Sequence, residues 1–187
     1  MSSSPAEVAD LPTVSSPADV VLRRWCPGDE TTLVAQANDK EVSRNLRDRF
    51  PHPYTLKDAE EWIAYAATSA TNFAIVVAGK AVGGVGLELG SDVHRKTAEV
   101  GYWLGRDYWG RGIATAVVTA VTSWAFRTHD LVRLDAGVYA SNPASARVLE
   151  KAGYRFEGRL RKSVFKDGLH LDQLLYAAIA EPTKDDD

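Results

Sequence analysis

The sequence predicts an α/β fold with one mixed sheet of about seven strands flanked by helices. Short segments rich in Val, Leu and Ile alternate with single segments of helical periodicity, and Gly, Pro, Asn and Asp mark the boundaries between them. Runs of strands separated by single helices are typical of mixed α/β sheets. The 187 residues, 45% of them apolar and 25% charged, suit one compact domain with a substantial core.

The first half of the chain has clear local signals. Residues 20–24 form a strand, and Asp29 is expected to cap a helix that runs to about Asn38. Thr55 and Asp58 have the spacing of a capping box, so a second helix is predicted to begin there. The next predicted strands are 72–78, 81–89 and 97–104.

The second half begins with a helix that follows Gly112. Ile113, Val117, Val121 and Trp124 recur at helical spacing, so this helix is expected to pack on the sheet. The remaining predicted elements are a strand at 131–138, a helix at 143–152 and a hairpin of 154–165 with 170–180.

Both ends of the chain are expected to be disordered tails. Residues 1–19 are rich in Ser, Pro and Ala and have few residues that would anchor them, and residues 181–187 are mainly acidic. The folded domain is therefore predicted to span residues 20–180.

Charge and cysteine content argue against several classes of protein. The net charge of −3 implies no general attraction to nucleic acid or to an anionic membrane. Cys26 is the only cysteine, which excludes an internal disulfide and suits a reducing compartment. No apolar run reaches membrane-spanning length and no signal pattern is found, so we predict a cytoplasmic protein without nucleic-acid or membrane partners. Its oligomeric state is left open between monomer and homodimer.

Residues 99–115 predict a site for a phosphorylated ligand. They have the pattern of a strand, a polar turn and a helix start flanked by Gly110 and Gly112, with no acidic residue in the first helical turn. A helix N-terminus has unpaired N–H groups and a partial positive charge, so it binds phosphate without side chains. Arg111 adds a positive charge between the two glycines.

Two common phosphate loops do not fit this spacing. The dinucleotide fingerprint requires Gly-x-Gly-x-x-Gly or Ala, whereas this sequence has Thr115 at the last position. The mononucleotide P-loop requires a Gly-Lys-Ser/Thr ending, which the sequence lacks. Nucleotide or dinucleotide binding is therefore disfavoured.

The same segment resembles the pyrophosphate-binding motif of the GNAT superfamily of acyl-CoA N-acyltransferases, usually Gln/Arg-x-x-Gly-x-Gly/Ala. Gly112, Ile113 and Ala114 supply the Gly-x-Ala end, while Trp109 stands where Gln or Arg is more usual. The run Glu-Val-Gly-Tyr-Trp-Leu followed by Tyr-Trp-Gly-Arg-Gly is similar to the Rim-type branch, the ribosomal-protein N-terminal acetyltransferases and their relatives.

A second motif, at 142–158, resembles the family segment that contains Asn-x-x-Ser and Leu-x-Lys-x-Gly, so the resemblance covers about residues 20–180. It implies a mostly antiparallel GNAT sheet in which the strands ending near Leu104 and Val138 splay apart and admit the pantetheine arm of acetyl-CoA. The cofactor-binding residues that it implies are Trp103, Leu104, Trp109, Gly110, Arg111, Gly112, Ile113, Ala114, Thr115, Asn142 and Ser145. No metal is expected, because the four histidines lack metal-ligand spacing.

Acetyl transfer to an amine needs a proton acceptor and a donor for the carbonyl oxygen. We predict Glu99 as the proton acceptor; the alternative is that it faces water or pairs with a neighbour such as Arg95. The resemblance assigns Ser145 to the leaving sulfur, because Leu149 stands at the usual tyrosine position; the alternative is that Ser145 only makes a hydrogen bond in its own helix. The resemblance also implies the Leu104 N–H as the carbonyl-oxygen donor.

The irregular segment 47–54 is expected to border the amine site, with Phe50, His52 and Tyr54 as substrate-binding residues; the alternative is a packed cover. The sequence therefore predicts an acetyl-CoA-dependent N-acetyltransferase that acts by direct transfer in a ternary complex. Its acceptor is a protein N-terminus or a small-molecule amine. The alternative is a non-catalytic acyl-CoA-binding or sensing module, which Leu149 favours.

Overall fold

The structure is a computed structural model that describes residues 11–17 and 19–181. Two short 3₁₀ turns, Asp92–His94 and Arg106–Tyr108, flank the fourth strand. In chain order the strands and α-helices of the described residues are β1 (Val20–Arg23), α1 (Glu30–Ala37), α2 (Lys40–Ser43), α3 (Leu56–Thr68), β2 (Asn72–Val77), β3 (Lys80–Leu89), β4 (Thr97–Leu104), α4 (Ile113–Thr128), β5 (Arg133–Tyr139), α5 (Pro143–Lys151), β6 (Arg155–Lys166) and β7 (Leu169–Ile179).

The seven strands form one mixed sheet in the order β1-β2-β3-β4-β5-β7-β6, which confirms the predicted fold class. Neighbouring strands are antiparallel except β4 and β5, which are parallel. These two strands pair only where residues 97–99 lie beside 133–135. Beyond that point they part, as the family resemblance implies.

Helices cover both faces of the sheet. On one face α4 and α5 enclose the larger core, where Val117, Val121 and Leu149 are fully buried. On the other face α1 and α3 enclose a second core that contains Leu33 and Ile63. The predicted apolar stripe of α4 is therefore a core face, as expected from its periodicity.

The packed part of the chain begins before residue 20. Leu11 and Val14, which the sequence assigns to the N-terminal tail, pack against the larger core, and Pro12 between them is buried. Of the two expected tails, residues 1–10, 18 and 182–187 lie outside the described residues.

The predicted capping box of α3 is confirmed by the reciprocal hydrogen bonds of Thr55 and Asp58. The expected cap of α1 is wrong, because the side chain of Asp29 makes no hydrogen bond to the helix. Its carboxylate instead accepts two hydrogen bonds from the Arg23 guanidinium, each of 2.7 Å, and one from the Cys26 N–H. The bidentate pair engages both carboxylate oxygens with a positively charged donor, so the contact with β1 prevails over a cap.

The short helix α2 was not predicted. Its N-cap is Asp39, whose side chain accepts a hydrogen bond from the Glu41 N–H. A helix of four residues is too short to display helical periodicity, so only its cap is visible in the sequence.

Asp29→Asn is expected to lower the free energy of unfolding at pH 7 by about 2 kcal/mol, because the charge-assisted pair with Arg23 is lost. Burial alone raises the pKa of Asp29, but the hydrogen bonds from Arg23 and Cys26 outweigh it and hold this pKa below its ordinary value. The contribution is thus present above the unfolded-state pKa of about 3.9 and is lost as the pH falls through the lower folded-state pKa.

Urea unfolding of the wild type and of Asp29→Asn between pH 7 and pH 2 measures the difference between their free energies of unfolding. Glu61→Gln, a change of an exposed carboxylate on α3, is the control and should alter stability by less than about 0.5 kcal/mol. A difference between Asp29→Asn and the wild type that stays constant down to pH 2 would contradict the prediction.

Candidate active site

The parting of β4 and β5 opens a cleft of about 1270 Å³, lined by both strands, the loop before α4, the start of α5 and the segment between α2 and α3. Along β4, the N–H of Gly105 donates to the Val82 carbonyl at 2.8 Å, and the Thr97 carbonyl accepts from Gly90 at 2.9 Å. Because antiparallel pairing alternates from residue to residue, the backbone groups of Leu104 point away from β3 and into the cleft.

The loop before α4 has the geometry of an anion site. Gly110 and Gly112 have φ values of +72° and +77°, a conformation that residues with a Cβ rarely adopt. Gly112 is the N-cap of α4, and this helix has no side-chain cap and no acidic residue in its first turn. The first helical bond joins the Ala116 N–H to the Gly112 carbonyl, so the preceding N–H groups point out of the helix end. The residues of this turn that line the cleft are Ile113, Ala114 and Thr115.

Trp109 ties this loop to the end of β4. Its indole Nε1–H donates to the Leu104 carbonyl at 2.7 Å, while 44% of the residue stays exposed. The indole thereby satisfies the Leu104 carbonyl and leaves the N–H of Leu104, on the same side of the strand, directed into the cleft. The residue that departs from the usual family motif thus has a structural role here.

Side chains of β4 alternate between the two faces of the sheet. Trp103 packs with the core under α1 and α3, whereas Tyr102 and Leu104 pack with the core under α4 and α5. Glu99 and Gly101 share the face of Trp103, and a Cβ added to Gly101 would meet nothing within 4 Å. There is therefore open space beside Glu99, and Glu99 and α5 border the gap from opposite faces of the sheet.

Glu99 is ion-paired with Arg47, not with Arg95, the neighbour considered from the sequence. The Arg47 Nη2–H donates to Glu99 Oε1, and Arg47 Nη1 lies 3.5 Å from Glu88 Oε2. The hydrogen bond to Glu99 raises the pKa of Arg47 above its ordinary value. The side chains of Arg47 and Glu99 are 48% and 38% exposed, so water reaches the pair.

Packing and hydrogen bonds fix the segment 47–54. Phe50 packs against Tyr54 and Trp103, with ring centroids 5.0 and 5.2 Å apart. The Tyr54 N–H donates to the side chain of Asn38 at 3.0 Å. Burial raises the pKa of Tyr54 to about 12, so this tyrosine stays neutral at physiological pH. The segment is both a packed cover and a wall of the cleft.

His52 lies apart from Phe50 and Tyr54. The latter two line the main cleft, whereas His52 is exposed and lines a separate cavity of about 440 Å³. This cavity lies where the β6–β7 hairpin meets the segment, and there Lys166 Nζ donates to Asp48 Oδ1 at 2.8 Å. Lys166 is only 8% exposed, and Asp48 is the partner that its buried side chain needs.

Ser145 is held by residues from two elements. The Asn142 side chain accepts a hydrogen bond from the Ser145 N–H, which confirms Asn142 as the cap of α5. The Tyr102 hydroxyl lies 2.7 Å from Ser145 Oγ and 3.2 Å from the Ser145 carbonyl oxygen. Burial raises the pKa of Tyr102 to about 12, so its phenol is neutral. Leu149, at the usual tyrosine position, is fully buried in the core.

The charges that line the cleft are separated. On the wall formed by α5 and the loop before α4, the basic residues are Arg111, Arg147 and Lys151. On the opposite wall, the acidic residues are Asp48, Asp58, Glu61, Glu88 and Glu99, and the basic residues are Arg47 and Arg49. One end therefore suits phosphates, and the other end suits a cationic ligand.

Two contacts of the site were not foreseen from the sequence. The bond between Tyr102 and Ser145 had an available signal, because strand alternation puts Tyr102 on the face opposite Glu99, which α4 and α5 cover. No local signal pairs Arg47 with Glu99, which lies 52 residues further along the chain.

The described residues, 11–17 and 19–181, contain no group of three or more His, Cys, Asp or Glu placed to hold a metal ion. None of the helices formed by these residues has the length and apolar character that crossing a membrane requires.

Residues 19–155 match the family described as Acetyltransferase (GNAT) domain. The uncharacterized N-acetyltransferase YoaA of Bacillus subtilis (strain 168) is 34% identical over 98 residues, which are 52% of this chain and 55% of YoaA. The ribosomal-protein-serine acetyltransferase of Escherichia coli (strain K12) is 33% identical over 86 residues, 46% of this chain and 48% of that enzyme. The chain thus spans about half the length of these curated relatives.

A solved structure of RimL, a ribosomal L7/L12 alpha-N-protein acetyltransferase in complex with coenzyme A, shares the fold. The TM-score is 0.78 at 19% identity, over 91% of this chain and 98% of the RimL chain. The sequence similarity to the ribosomal-protein-serine acetyltransferase is consistent with a Rim-type branch.

Gly112→Ala is expected to weaken the binding of inorganic pyrophosphate about tenfold. A Cβ at this left-handed position costs about 1–2 kcal/mol, so the loop relaxes and its N–H groups no longer converge. Titration calorimetry measures the affinity. The control is Gly158→Ala on β6, where a Cβ has open space and the φ is not left-handed. An unchanged pyrophosphate affinity in Gly112→Ala would remove this loop as the anion site.

Proposed function

The chain belongs to the GNAT family of acetyltransferases, and we propose that it transfers an acetyl group from acetyl-CoA directly to a primary amine in a ternary complex. One observation carries this proposal: an uncapped helix start that is suited to anions and a carboxylate, Glu99, border the same gap between parting strands. Relatives named as N-acetyltransferases support the reaction class.

The residues of the cleft fit acetyl-CoA. This co-substrate supplies the acetyl group and a thiolate leaving group, whose thiol has an ordinary pKa of about 8.5. The N–H groups at the start of α4, with Gly110 and Gly112, are suited to its phosphates. Arg111 and Arg147 add positive charge to the same wall.

Glu99 and Leu104 are proposed to act on the acceptor amine and on the carbonyl oxygen. Glu99 accepts the proton that the amine must lose before or as it attacks. The Leu104 N–H, directed into the cleft, donates a hydrogen bond where negative charge develops on the carbonyl oxygen. No covalent intermediate with the protein is needed, because the thiolate is a good leaving group.

Ser145 is proposed to donate a hydrogen bond to the departing sulfur, and Tyr102 is proposed to support it. Their hydroxyl oxygens lie 2.7 Å apart and each hydroxyl has one proton, so Tyr102 donates to Ser145 and the Ser145 proton is left for the sulfur. The Tyr102 pKa of about 12 lies well above that of an ordinary thiol, so transfer of the phenolic proton to the thiolate is unfavourable. Their role is therefore hydrogen bonding, and the proton of the product thiol comes from water.

The acceptor is proposed to be a protein N-terminus or a small-molecule amine. The acidic wall of the cleft favours a cation, which describes both classes. A relative that acts on ribosomal protein supports the first class. We further propose that the protein works in the cytoplasm, where acetyl-CoA and free thiols occur.

Thermal unfolding with acetyl-CoA, CoA, ATP and NAD at equal concentration tests the co-substrate. A ligand at a hundred times its Kd stabilises the native state by about 2.7 kcal/mol, which raises the Tm measurably. Only acetyl-CoA and CoA are expected to do so. A response to ATP or NAD alone, or no response to CoA species, would refute the proposal.

Release of CoA with a panel of amines and N-terminal peptides then tests transfer itself. Selective CoA binding without transfer to any acceptor would support the second candidate, a non-catalytic acyl-CoA-binding module. The buried Leu149 favours that candidate, because it leaves no hydroxyl at the usual position of the proton donor.

Glu99→Gln is expected to lower kcat by about 10²- to 10⁴-fold, because the amide cannot accept the amine proton. The affinity for acetyl-CoA should change less than about twofold, since Glu99 lies on the acidic wall of the cleft, opposite the basic wall. The control is Glu157→Gln on β6, where the carboxylate is paired with Arg133 on β5. If Glu99→Gln turned over at the wild-type rate from pH 6 to pH 9, Glu99 would have no part in proton transfer.

A further inference from the structure

The Arg47 guanidinium occupies the carboxylate that the proposed reaction needs. It donates to Glu99 Oε1 and also approaches Glu88, the residue opposite Glu99 on β3. The guanidinium lies in front of Oε1, and its positive charge repels a second cation from this carboxylate. Arg47 and a protonated amine that approaches Glu99 therefore compete for the same place beside the carboxylate.

The main chain of Arg47 is fixed, while its side chain has room to leave. The Phe50 N–H donates to the Arg47 carbonyl at 2.9 Å, and the neighbouring residue Asp48 is held by Lys166. The side chain of Arg47 is 48% exposed and borders the cleft. Rotation of this side chain into solvent breaks no packing of the segment.

The pair is weak enough to be exchanged. Ion pairs between partly exposed side chains contribute little, because water and salt screen them and side-chain freedom is lost. An incoming ammonium group offers Glu99 the same interaction, an N–H donor with a positive charge. The exchange of one cation for the other therefore costs little.

We propose that Arg47 holds the place of the acceptor amine at Glu99, and that the acceptor binds by displacing it. This inference rests on the proposed role of Glu99 and narrows the acceptor class. The charged groups around Glu99 are Glu88 on β3 with Arg49 beside it, Asp135 with its partner Arg133 on β5, and Arg47. Once Arg47 has left, a carboxylate adjacent to the amine meets like charge. The acceptor is thus a cationic amine without a neighbouring carboxylate, such as a peptide N-terminus or a diamine, and not a free α-amino acid.

Carbon-13 NMR of the glutamate side-chain carboxyls tests this exchange without acetyl-CoA. The Glu99 resonance is identified by its absence in Glu99→Gln, and n-butylammonium is titrated into each protein. In Arg47→Gln the Kd of n-butylammonium at Glu99 should fall about fivefold, because the ligand no longer has to displace a partly exposed ion pair. Arg47→Lys restores a cation and should stay near the wild-type Kd.

The matched control is Arg49→Gln, which removes the same charge two residues away. Arg49 lies 3.4 Å from Glu88, so this variant leaves the hydrogen bond between Arg47 and Glu99 in place and should keep the wild-type Kd within about twofold. An equal or weaker affinity for n-butylammonium in Arg47→Gln overturns the exchange. Glycine should bind about tenfold more weakly than n-butylammonium, and equal binding overturns the acceptor class.

Failure of this inference is distinguishable from failure of the proposed function. The NMR titration needs neither co-substrate nor turnover, so it stands even if no CoA species binds. If acetyl transfer is observed, Arg47→Gln should also lower the amine KM about fivefold. A higher amine KM in Arg47→Gln, with transfer intact, overturns the exchange alone and makes Arg47 a residue that binds the acceptor.

Discussion

The parting of β4 from β5 is the constraint on which the rest of the site depends. A parallel pair needs a crossover connection, and α4 supplies it, so the N-terminus of this helix has to lie near the end of β4. Beyond residue 99 the inner edge of β4 has no strand partner, and unpaired backbone groups are costly when buried. The Trp109 indole satisfies the Leu104 carbonyl, and the open cleft leaves the N–H of Leu104 accessible to a ligand. The position of the loop before α4, the unpaired Leu104 N–H and the gap thus have one topological cause.

Features set by neighbouring residues were predictable from the sequence, and features set by distant contacts were not. The span of β4, the capping box at Thr55 and the cap at Asn142 depend on residues within one turn or one strand, and each was confirmed. Asp29 carries the same local signal as a cap, yet its carboxylate binds Arg23 on β1. In the site, Gly110 and Gly112 were visible as a motif at the start of α4. The partner of Glu99, Arg47, could not be predicted, because it depends on how the irregular segment 47–54 folds back onto the sheet. Periodicity and capping chemistry contain no information about such a contact.

The distribution of charge matters more than its sum. The net charge of −3 argues against a general attraction to nucleic acid, but it hides a cleft with a basic wall and an acidic wall. The two walls belong to opposite sides of the gap, so they suit ligands or groups of opposite charge without competing for the same surface. Arg47 partly neutralises the acidic wall.

The ion pair between Lys166 and Asp48 joins residues 118 positions apart, and β5 receives its second neighbour only from β7. On the ribosome, the helix-start loop and Glu99 emerge long before this hairpin does. A nascent chain folded only as far as α5 therefore has the loop before α4 but lacks the contact of Lys166 with Asp48, and β5 is an open edge available for wrong pairing. The cleft is thus completed only after the hairpin has been made.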